Sequence, residues 1–247
     1  MSTANQIKDE LFSLSDSQKK EFLPRFFKTG KGQYGEGDLF IGVTVPLQRT
    51  LVKKYKSLEF AELKKLFKDD YHECRLTALL FVVNMYQKSK DQDRKKQIYE
   101  FYMSSLERIN NWDLVDLSAP QIVGDYLFDK DRAVLYNLVV DENLWIQRIA
   151  ILSTFAFIKK SDFSDTLAIS KILLHHSHDL IHKAVGWMLR EVGNRNLSTE
   201  LSFLDSLDDD SQHPLYSIMP RTMLRYAIEK FPEDLRLQYL NGEKNIK

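Results

Sequence analysis

The chain has 247 residues, of which 43% are hydrophobic and 28% charged, with only 9 glycines and 6 prolines, a composition that excludes a disordered or fibrous protein. A lone cysteine, Cys74, excludes a disulfide framework and any multi-cysteine zinc site. Lys and Arg number 35 and Asp and Glu 35, which argues against a uniformly basic nucleic-acid-binding surface, although residues 1–100 carry 19 basic against 14 acidic side chains.

Apolar residues recur at three- and four-residue spacing along nearly the whole chain, and alternating strand patterns are almost absent. The spacing predicts helices near 4–14, 17–27, 46–56, 59–67, 72–87, 92–108, 112–124, 131–138, 144–158, 164–175, 179–193, 199–206, 214–231 and 233–241. Breakers stand between them, including Gly35-Glu36-Gly37, Asp69-Asp70, Asn194-Arg195-Asn196 and His213-Pro214. The N-terminus runs straight into a polar amphipathic segment. The longest apolar run, Ala78–Val83, is too short to cross a bilayer. A cytoplasmic protein is expected.

A basic residue opens the inner helix of successive units: Arg75, Arg148, Lys183 and Arg221. The first interval spans two units, and Asn111–Asp116 fills the middle one. A period of about 35–40 residues, two helices per unit, is that of a HEAT-like α-solenoid. The expected fold is therefore all-α: about six antiparallel helix pairs, one domain over 1–247, with a concave surface built from inner helices.

Three kinds of residue stand out. Residues 28–43 hold five of the nine glycines and read either as a connector or as a backbone that approaches phosphates closely; no phosphate-loop pattern is present. His175, His176, His178 and His182 cross a predicted helix junction without a His-Glu-x-x-His arrangement, so no metal site is expected. The three tryptophans, Trp112, Trp145 and Trp187, lie on inner helices. Trp145 is expected in the core, with Arg148 turned toward the groove. Trp112 shares a helix face with Asp116 at i, i+4, and Asp113 lies beside it, an uncomfortable combination for a core. An Asp–Arg ladder between repeats is the competing structural explanation.

Trp112–Asp116, Leu144–Leu152 and Lys183–Glu191, together with Leu39–Val43 and Pro46-Leu47-Gln48-Arg49, resemble the hallmark segments of the AlkD-type family, HEAT-like-repeat DNA glycosylases that excise alkylated bases. The similarity spans about residues 20–230. It implies Asp116 as the catalytic carboxylate, Trp112 and Trp187 as catalytic groove indoles whose faces meet the cationic deoxyribose, and Arg148 and the groove tyrosine Tyr34 as DNA-binding residues. It further implies a monomeric, cofactor-free enzyme that hydrolyses the N-glycosidic bond of N3-alkyladenine or N7-alkylguanine in duplex DNA. Neither strand cleavage nor base flipping is expected, and an open groove implies no pocket beside Asp116. The alternative is a non-catalytic solenoid that binds DNA or a protein.

Overall fold

The computed structural model describes residues 2–242, and among these the chain is all-helical. Two isolated bridges, Leu39 with Tyr71 and Leu207 with Pro214, are the only strand-like pairings among the described residues. The helices gather into two compact units, one ending at Tyr126 and one beginning at Leu127.

The first unit contains α1 (Ala4–Ser13), α2 (Ser17–Phe26), α3 (Val45–Tyr55), α4 (Phe60–Phe67), α5 (His72–Lys88), α6 (Gln92–Met103) and α7 (Trp112–Ala119). Starts follow capping chemistry. Thr3 forms a capping box with Gln6 on α1, and Asp16 and Asp91 accept from first-turn N–H groups of α2 and α6. Helix α5 is enclosed along most of its length, with Leu76, Leu79, Phe81 and Val82 buried. Cys74 is buried with them, and burial pushes its thiol up to about 12, as a core residue requires.

After α8 (Asp125–Leu127), the second unit contains α9 (Ala133–Val139), α10 (Leu144–Ser153), α11 (Phe155–Ile158), α12 (Ser164–Ile172), α13 (Asp179–Gly193), α14 (Leu197–Asp205), α15 (Leu215–Ile218), α16 (Arg221–Ala227) and α17 (Glu233–Asn241). Helix α13 is its central element, packing against α10, α14 and α16. Gly186 makes the last contact possible: a Cβ there would stand 2.4 Å from the Met223 carbonyl oxygen.

Two of the predicted helices break at residues that account for the break. The segment predicted as 214–231 breaks at Met219-Pro220, because proline drives the residue before it out of the helical region, and Met219 has ψ 136°. The segment predicted as 144–158 breaks at Thr154, whose hydroxyl bonds back to the Ile151 carbonyl at 2.7 Å.

Candidate active site

Helix α7 begins where Asn111, fully buried, takes an extended conformation and its side-chain oxygen accepts from the Trp112 N–H at 2.9 Å. It ends at Pro120, where a wider turn over Pro120–Gly124 absorbs the missing donor. Asp113 and Asp116 are thereby set one turn apart with Trp112 at the head of the helix, but in different surroundings. Asp113 is buried, whereas Trp112 and Asp116 are half-buried.

Beneath α7 lies a buried ionic cluster absent from the sequence expectations. His72 Nε2 is 2.9 Å from an Asp113 carboxylate oxygen and its Nδ1 is 3.2 Å from Asp38. The Arg75 guanidinium donates to the other Asp38 oxygen, and Asn111 Nδ2 donates to Asp38 at 3.4 Å. Burial alone disfavours the imidazolium, but the charges and hydrogen bonds of Asp113 and Asp38 outweigh it and raise His72 to about 9. Burial likewise disfavours the Asp38 carboxylate, yet His72, Arg75 and Asn111 hold it below its ordinary range. With His72 protonated, two cations face two carboxylates, so the cluster is neutral within itself.

Glu73, also buried, accepts from three consecutive N–H groups, Ile41 at 3.0 Å, Gly42 at 2.8 Å and Val43 at 3.2 Å. It thereby pins the glycine-rich stretch against α5. Gly42 has φ +95° and its Cα lies so near α2 that a Cβ would stand 2.3 Å from the Asp16 carbonyl oxygen. The glycine-rich segment is thus a folded wall of the site, and it carries Phe40 into place.

The result is an aromatic stack. Trp112 lies parallel to Phe27 with ring centres 5.4 Å apart, and the Phe26 edge meets it at 5.9 Å. Phe27 stacks on Phe40 at 5.1 Å, and Phe40 on the His72 ring at 4.9 Å. These rings line a cavity of about 420 Å³, which Asp116, Gln48 and Leu117 also border. Asp116 and Leu117 border a second cavity of about 330 Å³ as well, together with Arg49, Lys53, Asn84, Gln87 and Gln121. The expectation of an open surface beside Asp116 is therefore corrected: folding of residues 27–43 over α5 supplies aromatic walls that helical periodicity does not reveal.

The remaining expected residues lie elsewhere. Tyr34 is half-buried on the loop whose Gly35 closes against Phe27 and Asn111, and it lines neither cavity. In the second unit, Trp145 is buried as expected. Arg148 is only 4% exposed, and its guanidinium donates to the Leu180 carbonyl in the first turn of α13. Trp187 on α13 is half-buried, donates from Nε1 to Glu191 at 3.3 Å, and lies 5.9 Å from the Phe155 ring. The histidines serve the α13 start: His178 Nδ1 accepts from the Leu180 N–H at 3.1 Å, and His176 Nε2 meets Gln147 at 2.9 Å.

Chemically, the first unit presents a carboxylate and an indole at the rim of an aromatic cavity, and amide and cationic side chains on the carboxylate's other side. Electron-rich ring faces and a carboxylate favour a ligand that carries or develops positive charge.

Comparison with known proteins agrees with the fold. The chain is similar to a solved structure described as a predicted DNA alkylation repair enzyme from Enterococcus faecalis, at 14% identity and a TM-score of 0.65, covering 89% of this chain and 97% of that one. It is also similar, at 12% identity and a TM-score of 0.55, to a member of a family related to the HEAT-like repeat DNA glycosylases with affinity for branched DNA structures, covering 98% and 95% of the two chains. No curated protein matches the chain. The family model for the DNA alkylation repair enzyme matches residues 7–231, so this HEAT-like helical chain belongs to the DNA alkylation repair enzyme family.

Proposed function

We propose that the protein is a monofunctional alkylpurine DNA glycosylase that acts as a monomer on duplex DNA. Its substrates are cationic purines, N3-alkyladenine and N7-alkylguanine. The observation that carries this reading is the placement of Asp116 and Trp112 on one face of α7 at the rim of one aromatic cavity.

Alkylation at these nitrogens puts positive charge on the base and makes it a good leaving group. As the bond to C1′ breaks, positive charge moves onto the deoxyribose, as in other glycoside hydrolyses. Asp116 stabilises that cation and orients the water that adds to C1′, taking up its proton. The Trp112 face contributes an attraction of about 0.5–2 kcal/mol to the same charge. The stack of Phe27, Phe40 and His72 fixes the indole, and the Asp113–His72 contact fixes the helix beneath it. Trp187 is proposed as a second indole for the sugar cation, and Arg148 and Tyr34 are assigned to DNA contact. Because the reaction uses water and a carboxylate rather than an amine, the product is an abasic site in an intact strand.

The test is release of 7-methylguanine and 3-methyladenine from methylated duplex DNA, followed by chromatography of the free base. Accelerated release supports the reading, and strand scission without added base would contradict its monofunctional part. The lesion is proposed to stay stacked. An aromatic cavity of about 420 Å³ makes that point worth separate measurement, and 2-aminopurine placed beside the lesion should show no rise in fluorescence on binding. A second reading, DNA binding without base release, is favoured by the branched-DNA affinity in the description of one similar structure. It predicts binding without release in the same assay.

A further inference from the structure

The second cavity beside Asp116 has no part in the chemistry above. It is bordered by Arg49 and Lys53, four residues apart on α3, and by the amides of Asn84, Gln87 and Gln121. That spacing puts both cations on one helix face. Both are exposed. Among the described residues neither has a carboxylate within ion-pair distance, whereas Lys54 on the same helix pairs with Glu10 at 2.8 Å. Among the described residues Asp116 is the only acidic one on the cavity wall, so two cations and one carboxylate leave a net positive charge. The three amides each offer donors.

We infer that Arg49 and Lys53 form a phosphate-holding pair that receives a DNA backbone phosphate on the side of Asp116 away from the aromatic cavity. The guanidinium offers a fork that matches two phosphate oxygens, and the ammonium adds a second point of charge. Two cations suit this place because a phosphate brought near Asp116 meets like-charge repulsion that one cation would barely offset. What sets the pair apart is its place: two cations one turn apart on a cavity wall that also carries three side-chain amides and Asp116, so a chain of zero net charge still offers a locally positive site to a polyanion. The inference rests on the DNA-binding part of the proposed function.

The experiment is equilibrium binding of a short fluorescein-labelled undamaged duplex across a salt series, for the wild type, Arg49→Ala/Lys53→Ala and Lys54→Ala. Each phosphate contact contributes about −0.9 to the slope of log K against log salt. The double variant should flatten the wild-type slope by about 1.8 on that rule and bind methylated and undamaged duplexes with the same loss. Lys54→Ala removes one charge from the same helix and should leave the slope almost unchanged, because that ammonium is engaged by Glu10. Equal slopes for the wild type and the double variant overturn the inference while leaving DNA binding standing. So does an equal change in Lys54→Ala, which would mean that general charge is being measured. A wild type that binds no duplex even at low salt overturns the DNA-binding reading itself. Circular dichroism melts of all three proteins separate a binding defect from unfolding.

Discussion

His72 Nε2 stands 2.9 Å from the Asp113 carboxylate, joining the first turn of α5 to the first turn of α7 inside a region closed to solvent. One imidazole therefore supports the helix that presents Trp112 and Asp116. Replacing it by glutamine leaves Asp38 with Arg75 and Asp113 with no buried cation against it. Breaking a buried charge pair in this way costs about 3–5 kcal/mol, so His72→Gln should unfold at markedly lower urea concentration than the wild type. The pH dependence has a definite sign. A histidine raised from 6.5 to about 9 contributes stability that is complete below its unfolded value and is lost as pH climbs through its folded one. Wild-type stability, followed by urea titration, should fall between about pH 6.5 and 9 through this residue, and that component should vanish in His72→Gln. A variant as stable as the wild type would show that the cluster is slack.

Asp116→Asn tests chemistry against binding. The amide keeps the size of the carboxylate but removes the charge that faces the sugar cation. Loss of one preorganised electrostatic group typically lowers the rate by about 10²–10³. Single-turnover release of 7-methylguanine should drop by that factor toward the spontaneous rate, while duplex affinity holds or improves, since a negative charge leaves a surface that meets phosphates. Unchanged release would remove Asp116 from the mechanism.

Gly42→Ala should be strongly destabilising, and Gly32→Ala only mildly so. Both glycines have positive φ, +95° and +74°, but a Cβ on Gly42 would meet Asp16 and Lys20 backbone atoms at 2.3 Å and 2.8 Å, while one on Gly32 meets nothing within 4 Å. Backbone strain alone is about 1–3 kcal/mol; only Gly42 adds a collision with α2. Urea midpoints give the ranking. Gly42→Ala should also weaken base release, because Glu73 loses its grip on the strip that carries Phe40.

In the second unit, Glu200 is almost wholly buried, and burial, partly offset by Arg190, pushes its carboxyl up to about 8. One carboxyl oxygen has no hydrogen-bond partner among the described residues. A raised acid is more protonated in the folded state, so its contribution is intact below the ordinary 4.5 and erodes as pH rises to about 8. Glu200→Gln should therefore gain stability over the wild type above pH 8 and gain little below pH 5. A difference independent of pH would mean that Glu200 is ionised in the folded protein.

Much of the fold was legible because helical periodicity is a local signal. The 3.6-residue spacing located the helices, and the basic residue at the head of successive inner helices gave the repeat. Trp112 and Asp116 were legible for the same reason, since i, i+4 spacing needs no tertiary knowledge. His72, Asp38 and Arg75 were not. They meet Asp113 and one another only after residues far apart in sequence close together, and a lone histidine beside a glutamate in a helix carries no mark of that. The nearest signal was the strain of Asp113 beside Trp112 on an apolar helix, a buried carboxylate that demands a partner. The break at Met219-Pro220 is marked by the proline itself, although the apolar rhythm runs through it. Arg148 illustrates the opposite limit: the spacing separates its direction from that of Trp145, but only the fold shows the guanidinium turned onto Leu180.

The long-range ties beneath α7 also bear on the order in which the molecule acquires its parts. Neighbouring helix pairs can associate through contacts close in sequence, which form quickly. The ties of His72 to Asp113, Arg75 to Asp38 and Asn111 to Asp38 close separations of 41, 37 and 73 residues, and each closure carries an entropic cost that short-range helix contacts avoid. The shoulder on which Trp112 and Asp116 rest is therefore expected to assemble late in folding, once the helices around it have formed. A helical intermediate of the first unit would carry Trp112 and Asp116 without the geometry that supports them.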